Sequence, residues 1–140
     1  MEWKNDLTLL SSLVATEPDS AFGQYALGEW YREHNDIQKA RSHWERAVSL
    51  HPGHALALSQ LGNAAYVENR LIDAEKLYRQ ALNADNSNAK VHYNLAMILE
   101  GDGRFAEALA HYQQFLKHVP AEYSGMVPDV TSRVTRLQGK

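Results

Sequence analysis

Residues 27–47 read LGEWYREHNDIQKARSHWERA, a run holding two tryptophans, a tyrosine, two histidines and four acids. Such a run is either a reactive cluster or a packing pattern, and the rest of the chain decides between them. A shift of 34 residues (27 to 61 to 95) carries Leu27-Gly28 onto Leu61-Gly62 and then onto Leu95-Ala96. The same shift takes Ala40 to Ala74 and Ala108, Trp44 to Tyr78 and Tyr112, and Ile37 to Leu71 and Phe105. It also takes Ala21 to Ala55 and Ala89, and Pro18 to Pro52, Asn86 and Pro120 in turn. A fixed period of this length is the mark of repeated supersecondary units.

Composition narrows the reading. The 140 residues carry a formal net charge of -3, with fourteen Lys+Arg against seventeen Asp+Glu and no basic block, so nucleic acid is not expected as a partner. The absence of cysteine removes disulfides, thiolate zinc sites and a cysteine nucleophile. Residues 1–6, MEWKND, lack a basic segment followed by an apolar run. Neither a signal peptide nor a membrane span is therefore expected, and the cytoplasm is the default compartment.

The columns of the repeat resemble those of the tetratricopeptide repeat family: leucine-glycine, an aromatic, alanine, a second aromatic, alanine and proline at set places. The first repeat supplies Leu27, Gly28, Tyr31, Ala40, Trp44, Ala47 and Pro52, with Gln24 where a large apolar residue is usual. The second supplies Leu58, Leu61, Gly62, Ala74, Tyr78 and Ala81, with Ala65 and Asn86 departing from an aromatic and a proline. The third supplies Leu95, Ala96, Leu99, Ala108, Tyr112 and Pro120, with His92 and Phe115 as departures. The resemblance implies an all-α fold, a right-handed solenoid of antiparallel helix hairpins. Its units are expected at 21–54, 55–88 and 89–122 in a single domain spanning 1–140.

The residues support that expectation on physical grounds. Asn35-Asp36, Asn69-Arg70 and Gly101-Asp102-Gly103 supply types that tolerate a left-handed backbone, so each breaks the helical period between two helices. Gly28, Gly62 and Ala96 let paired helices approach at Ala40, Ala74 and Ala108, with aromatics filling the adjoining space. Trp3, Leu7, Leu10 and Val14 recur at helical spacing before Pro18, so 2–16 reads as an N-terminal half-repeat helix. Residues 127–138, with Val130, Val134 and Leu137 on one stripe, read as a C-terminal capping helix. Trp30 is expected to face the N-terminal helix and pack on Trp3, Leu7 or Leu10.

Chemistry finds little footing in this pattern. Trp44 and Tyr31 occupy packing columns, and His43 shares its column with Leu77 and His111, which reads as partly exposed packing. His51 and His54 flank a turn with no third ligand nearby, so no metal site is expected. No catalytic triad, phosphate loop or HExxH run is present, so neither catalytic residues nor a cofactor is expected and the chain reads as a non-enzyme.

Repeated hairpins of this kind present a concave surface, and the resemblance implies that the first helix of each pair lines it. The residues expected to project into it are Tyr25, Glu29 and Arg32, then Ser59, Asn63 and Tyr66, then Lys90, Tyr93, Asn94 and Met97, with Phe22, Leu56, Gln60 and Glu100 beside them. A protein or peptide segment is the partner such tyrosines and amides suit. In the family's version that grips a chaperone's C-terminal carboxylate, five Lys, Asn and Arg residues form a clamp. Here the matching places hold Tyr25, Glu29, Gln60, Lys90 and Asn94, and Glu29 repels a carboxylate, so such tails are expected to bind poorly. The alternative function is a scaffold that self-associates into a homo-oligomer through its ends.

Overall fold

The computed structural model describes residues 6–140. Within them the chain forms eight α-helices and no strand: α1 (Leu7–Thr16), α2 (Ala21–Glu33), α3 (Ile37–Leu50), α4 (Ala55–Val67), α5 (Leu71–Ala84), α6 (Ala89–Gly101), α7 (Phe105–His118) and α8 (Val127–Gln138). A short 3₁₀ stretch, Ala121–Met126, precedes α8. The fold class is all-α. Trp3 lies outside the described residues, so its expected contact with Trp30 does too. The chain divides into two compact units, Met1–Gln80 and Ala81–Lys140, with the boundary inside α5.

The period recurs in local geometry. The first helices of the pairs, α2, α4 and α6, begin at Ala21, Ala55 and Ala89, and each is capped from the preceding residue. The Ser20 hydroxyl accepts from the Gly23 amide at 3.1 Å, His54 Nδ1 from Ala57 at 3.1 Å, and Asn88 Oδ1 from Val91 at 3.2 Å. Each cap satisfies an amide that the first turn of a helix leaves without a partner. The same three helices end alike: Asn35, Asn69 and Gly103 adopt φ of 63°, 60° and 76°. Beyond them the amides of Asp36, Arg70 and Arg104 donate back to the carbonyls of Tyr31, Ala65 and Leu99, each at 2.9 Å. This left-handed turn closes the helix and points the chain into the next one.

In the first unit α2 packs on α3, α3 on α4 and α1 on α2. Ala40, Trp44, Ala47 and Ala57 form one buried cluster, and Leu10, Ala26 and Leu27 a second, against which Leu7, Val14, Trp30 and Tyr31 lie. Small residues are needed here for a more specific reason than helix approach alone. A Cβ on Gly28 would stand 2.6 Å from Trp44 ring atoms and 3.1 Å from the Ala40 carbonyl; one on Gly62 would stand 2.7 Å from the Tyr78 ring. The aromatic column therefore fills the space that glycine vacates.

In the second unit α6 pairs with α7, and α8 packs on α7 through buried Val130 and Leu137. Tyr112, Phe115, Leu95 and Leu99 are fully buried. Glu100 ties this unit together. Its carboxylate accepts from the Tyr112 hydroxyl at 2.7 Å and from Arg133 at 3.0 Å, and it pairs with Arg136. Two of these three partners belong to α8, so one carboxylate on α6 fixes the last helix.

Candidate partner-binding site

The expected contact residues of the first unit converge through Gln60. Glu29 on α2 accepts from Arg32 at 3.0 Å and from the Gln60 amide on α4 at 2.9 Å, while the Asn63 amide donates to Gln60 at 3.1 Å. Asn63 Oδ1 accepts from the Tyr78 hydroxyl at 2.7 Å. Asn63 is thus a positioning residue for the core as well as a surface group. Tyr25 is half-buried beside the His54 ring, with centroids 5.1 Å apart. Burial first and the nearby Glu29 carboxylate second push its phenol up to about 12. Tyr66 is exposed.

Ser59 stands apart from this set. It is buried, and its hydroxyl returns to the Leu56 carbonyl at 2.9 Å, so it offers no surface to a partner.

An open pocket of about 330 Å³ lies in the same unit, lined by Arg32, Ile37, Trp44, Gln60, Asn63, Ala64, Val67 and Glu68. Its wall is mainly aliphatic and aromatic, and its lip is apolar yet open to solvent, with Val67 84% and Ile37 42% exposed. Polar groups stand at its edge: Arg32 pairs with Glu29, and Glu68 pairs with Arg41 and Arg70. A mostly apolar concavity with a few oriented polar groups is the usual make-up of a recognition site.

In the second unit Lys90, Tyr93 and Met97 gather on α6. The Lys90 ammonium stands 5.4 Å from the Tyr93 ring centre and 5.6 Å from that of Tyr123. Tyr93 packs edge-on against Tyr112 and beside Phe115, and the Met97 sulfur accepts from the Tyr112 hydroxyl at 3.1 Å. Asn94 is half-buried on the same helix.

Ile37 and Glu68 escape a reading confined to the first helix of each pair, because the pocket draws on α3 and on the turn after α4, and Val67, the last residue of α4, lies outside the positions expected to project from it. A valine at the end of a helix, next to the left-handed Asn69 turn, was the available signal. The histidines also find structural roles. His54 caps α4, and His43 Nδ1 bonds Gln24 Oε1 at 2.9 Å while its ring stacks on Tyr31, so this column makes specific hydrogen bonds in addition to packing. Among the described residues no group of three His, Cys, Asp or Glu is arranged to hold a metal ion. No helix among them is long and apolar enough to cross a membrane.

Repeated capped hairpins and small-residue columns opposed to aromatics define a helical-repeat protein. The family model described as tetratricopeptide repeat matches residues 25–89 and 60–125, and the chain belongs to that family. Among curated proteins it is 40% identical over 55 residues to human Protein O-mannosyl-transferase TMTC1, covering 39% of this chain and 6% of that protein. It is 29% identical over 108 residues to the Peroxisomal targeting signal receptor of Saccharomyces cerevisiae, covering 77% of this chain and 17% of the receptor. The chain thus spans only a small part of these relatives. Among solved structures, PilF of Pseudomonas aeruginosa superposes with a TM-score of 0.72 at 18% identity, over 93% of this chain and 57% of that one, a likeness of fold. Tetratricopeptide repeats generally mediate protein–protein interaction and are generally non-catalytic scaffolds.

Proposed function

We propose that this chain is a non-catalytic adaptor that holds a segment of a partner protein against the exposed face of α2 and α4. The observation that carries this reading is the pocket of the first unit. Three groups projecting from the first helices, Arg32, Gln60 and Asn63, line one opening with an apolar lip at Val67 and Ile37. Its hydrogen-bonding side chains are already oriented by one another, so little rotamer entropy is lost when a partner docks. In the second unit Lys90 with Tyr93 and Tyr123 offers a cationic and aromatic patch suited to the same kind of segment.

The test is affinity capture from an extract of the source cells, comparing wild type with Arg32→Ala, Tyr66→Ala, Lys90→Ala combined. These side chains are exposed or half-exposed and make no core hydrogen bond, so circular dichroism should be unchanged. Asn63→Ala is unsuitable because it strips the Tyr78 hydroxyl of its acceptor. A protein retained by wild type and lost by the variant supports the reading, and one retained equally by both contradicts it. Light scattering on the same samples separates self-association through the ends, which gives a mass that rises with concentration in both proteins.

A further inference from the structure

His92 sits at the start of α6 with 1% of its surface exposed, and both ring nitrogens are engaged. Nε2 lies 2.8 Å from the Asn86 carbonyl and Nδ1 lies 2.9 Å from His111 Nδ1 on α7. A carbonyl only accepts, so Nε2 carries the proton. In the neutral ring Nδ1 is then an acceptor, and His111 must donate to it.

The first repeat holds the same arrangement in groups that do not titrate at the acceptor. Counting 68 back from His92, Asn86 and His111 gives Gln24, Pro18 and His43. There the Gln24 amide nitrogen donates to the Pro18 carbonyl at 3.3 Å, and its oxygen faces His43 Nδ1 at 2.9 Å. Glutamine in one repeat and histidine in the other play the same part, a donor toward the loop and an acceptor toward the second helix. The glutamine's donor and acceptor ends match the protonation deduced for His92 from the Asn86 carbonyl. At the corresponding places the middle repeat has Leu58 and Leu77, so the column is polar on both sides or on neither.

We infer that Asn86, His92 and His111 form a proton-sensitive latch that holds the start of α6 to α7 at neutral pH and weakens as pH falls below about 6.5. A proton added to His92 would charge a buried ring and, with His111 still donating, set donor against donor across the Nδ1–Nδ1 contact. The groups facing His92 are His111 and His118 on α7, with the His118 ring parallel at 6.3 Å between centroids; Asp85, before the Asn86 loop, interacts with His118. Charge on His118 opposes charge on His92. Asp85 is exposed and turned to Ser87, whose hydroxyl and amide both bond it, so it compensates poorly.

Burial foremost holds His92 below the ordinary imidazole value, the Asn86 carbonyl opposes this, and His118 adds to it. The folded value is therefore depressed, and the unfolded chain binds more protons. Stability is complete above the unfolded value near 6.5 and is lost as pH falls from there through the folded value. Because α6 carries Lys90, Tyr93, Asn94 and Met97, acid would also loosen the proposed contact face of this unit; that consequence rests on the adaptor reading, while the latch itself does not.

The test compares wild type with His92→Gln, which copies the first repeat into the third. From pH 7.5 to 5.5, the folding constant of wild type from urea titrations should fall about tenfold more than that of the variant, as expected for one excluded proton. His43 and His54 are also held low by burial, but both proteins share them and their effect cancels. Equal losses in the two proteins would overturn the latch. Should the variant fail to fold, NMR of wild type decides alone: His92 must appear as the Nε2–H tautomer titrating below 6.5. An Nδ1–H tautomer, or a midpoint at or above 6.5, also overturns it.

Discussion

Gly62→Ala should destabilise a helix that alanine ordinarily favours. The new Cβ would lie 2.7 Å from both Cδ1 and Cε1 of Tyr78, well inside contact distance. Tyr78 is fully buried, and its hydroxyl is tied to Asn63, so the ring yields only by straining or breaking that bond. Overpacking of this sort costs about 1–3 kcal/mol. Alanine in place of glycine within a helix returns about 0.8–1 kcal/mol. The net expectation is a loss of about 1 kcal/mol, or roughly 3 °C in Tm for a chain of this size. Urea unfolding followed by circular dichroism measures it, with Gly101→Ala as the control. Nothing lies within 4 Å of a Cβ at Gly101, so that variant should gain up to about 1 kcal/mol. A Gly62→Ala protein as stable as wild type would refute the idea that the aromatic column dictates glycine here. The third repeat has alanine at this place, Ala96, and there the Tyr112 hydroxyl bonds to Met97 and Glu100.

Other perturbations probe separate parts of the molecule. Glu100→Gln should weaken the docking of α8 by about 1–3 kcal/mol, because Tyr112, Arg133 and Arg136 lose a shared anion; differential scanning calorimetry reads the loss. Burial raises the Glu100 carboxyl, but the Tyr112 hydrogen bond and the two arginines outweigh it and hold the group below its ordinary value of 4.5. The stability it provides is complete above that value and lost as pH falls below it, so acid should release α8 in wild type and have less effect in Glu100→Gln, as followed by limited proteolysis after Arg133 and Arg136. Asn69→Ala should cost about 1 kcal/mol, since φ of 60° is strained for alanine, whereas Asn69→Gly should be close to neutral in the same urea assay.

Much of the fold was legible because a 34-residue period ties local chemistry to position. Ala21, Ala55 and Ala89 open helices, and Asn35, Asn69 and Gly103 turn left-handed where residues tolerant of that backbone stand. Side-chain partnerships were less legible, since they join residues nineteen or more apart on different helices: Gln24 with His43, His92 with His111, Glu29 with Gln60. The column in which Gln24, Leu58 and His92 change together with His43, Leu77 and His111 did carry that signal, but only when the two positions are read as a pair. Ser59 was expected at the surface from its helical position and is buried, because a small side chain satisfied by its own helix can be covered by neighbours at no polar cost. Glu100 looked like a groove residue. Its capture by α8 depends on a helix beyond the repeats, which the period does not describe.

The adaptor reading stands or falls on which side chains a partner covers. Covalent side-chain footprinting by mass spectrometry, with and without a captured partner, addresses this on the first unit. Val67, Ile37 and Tyr66 border or adjoin the pocket, whereas Ile72 on α5 is 87% exposed and lies outside the proposed contact set. Labelling should fall at Val67, Ile37 and Tyr66 and persist at Ile72 in the complex. Unchanged labelling at the pocket, with protection at Ile72 instead, would contradict the account.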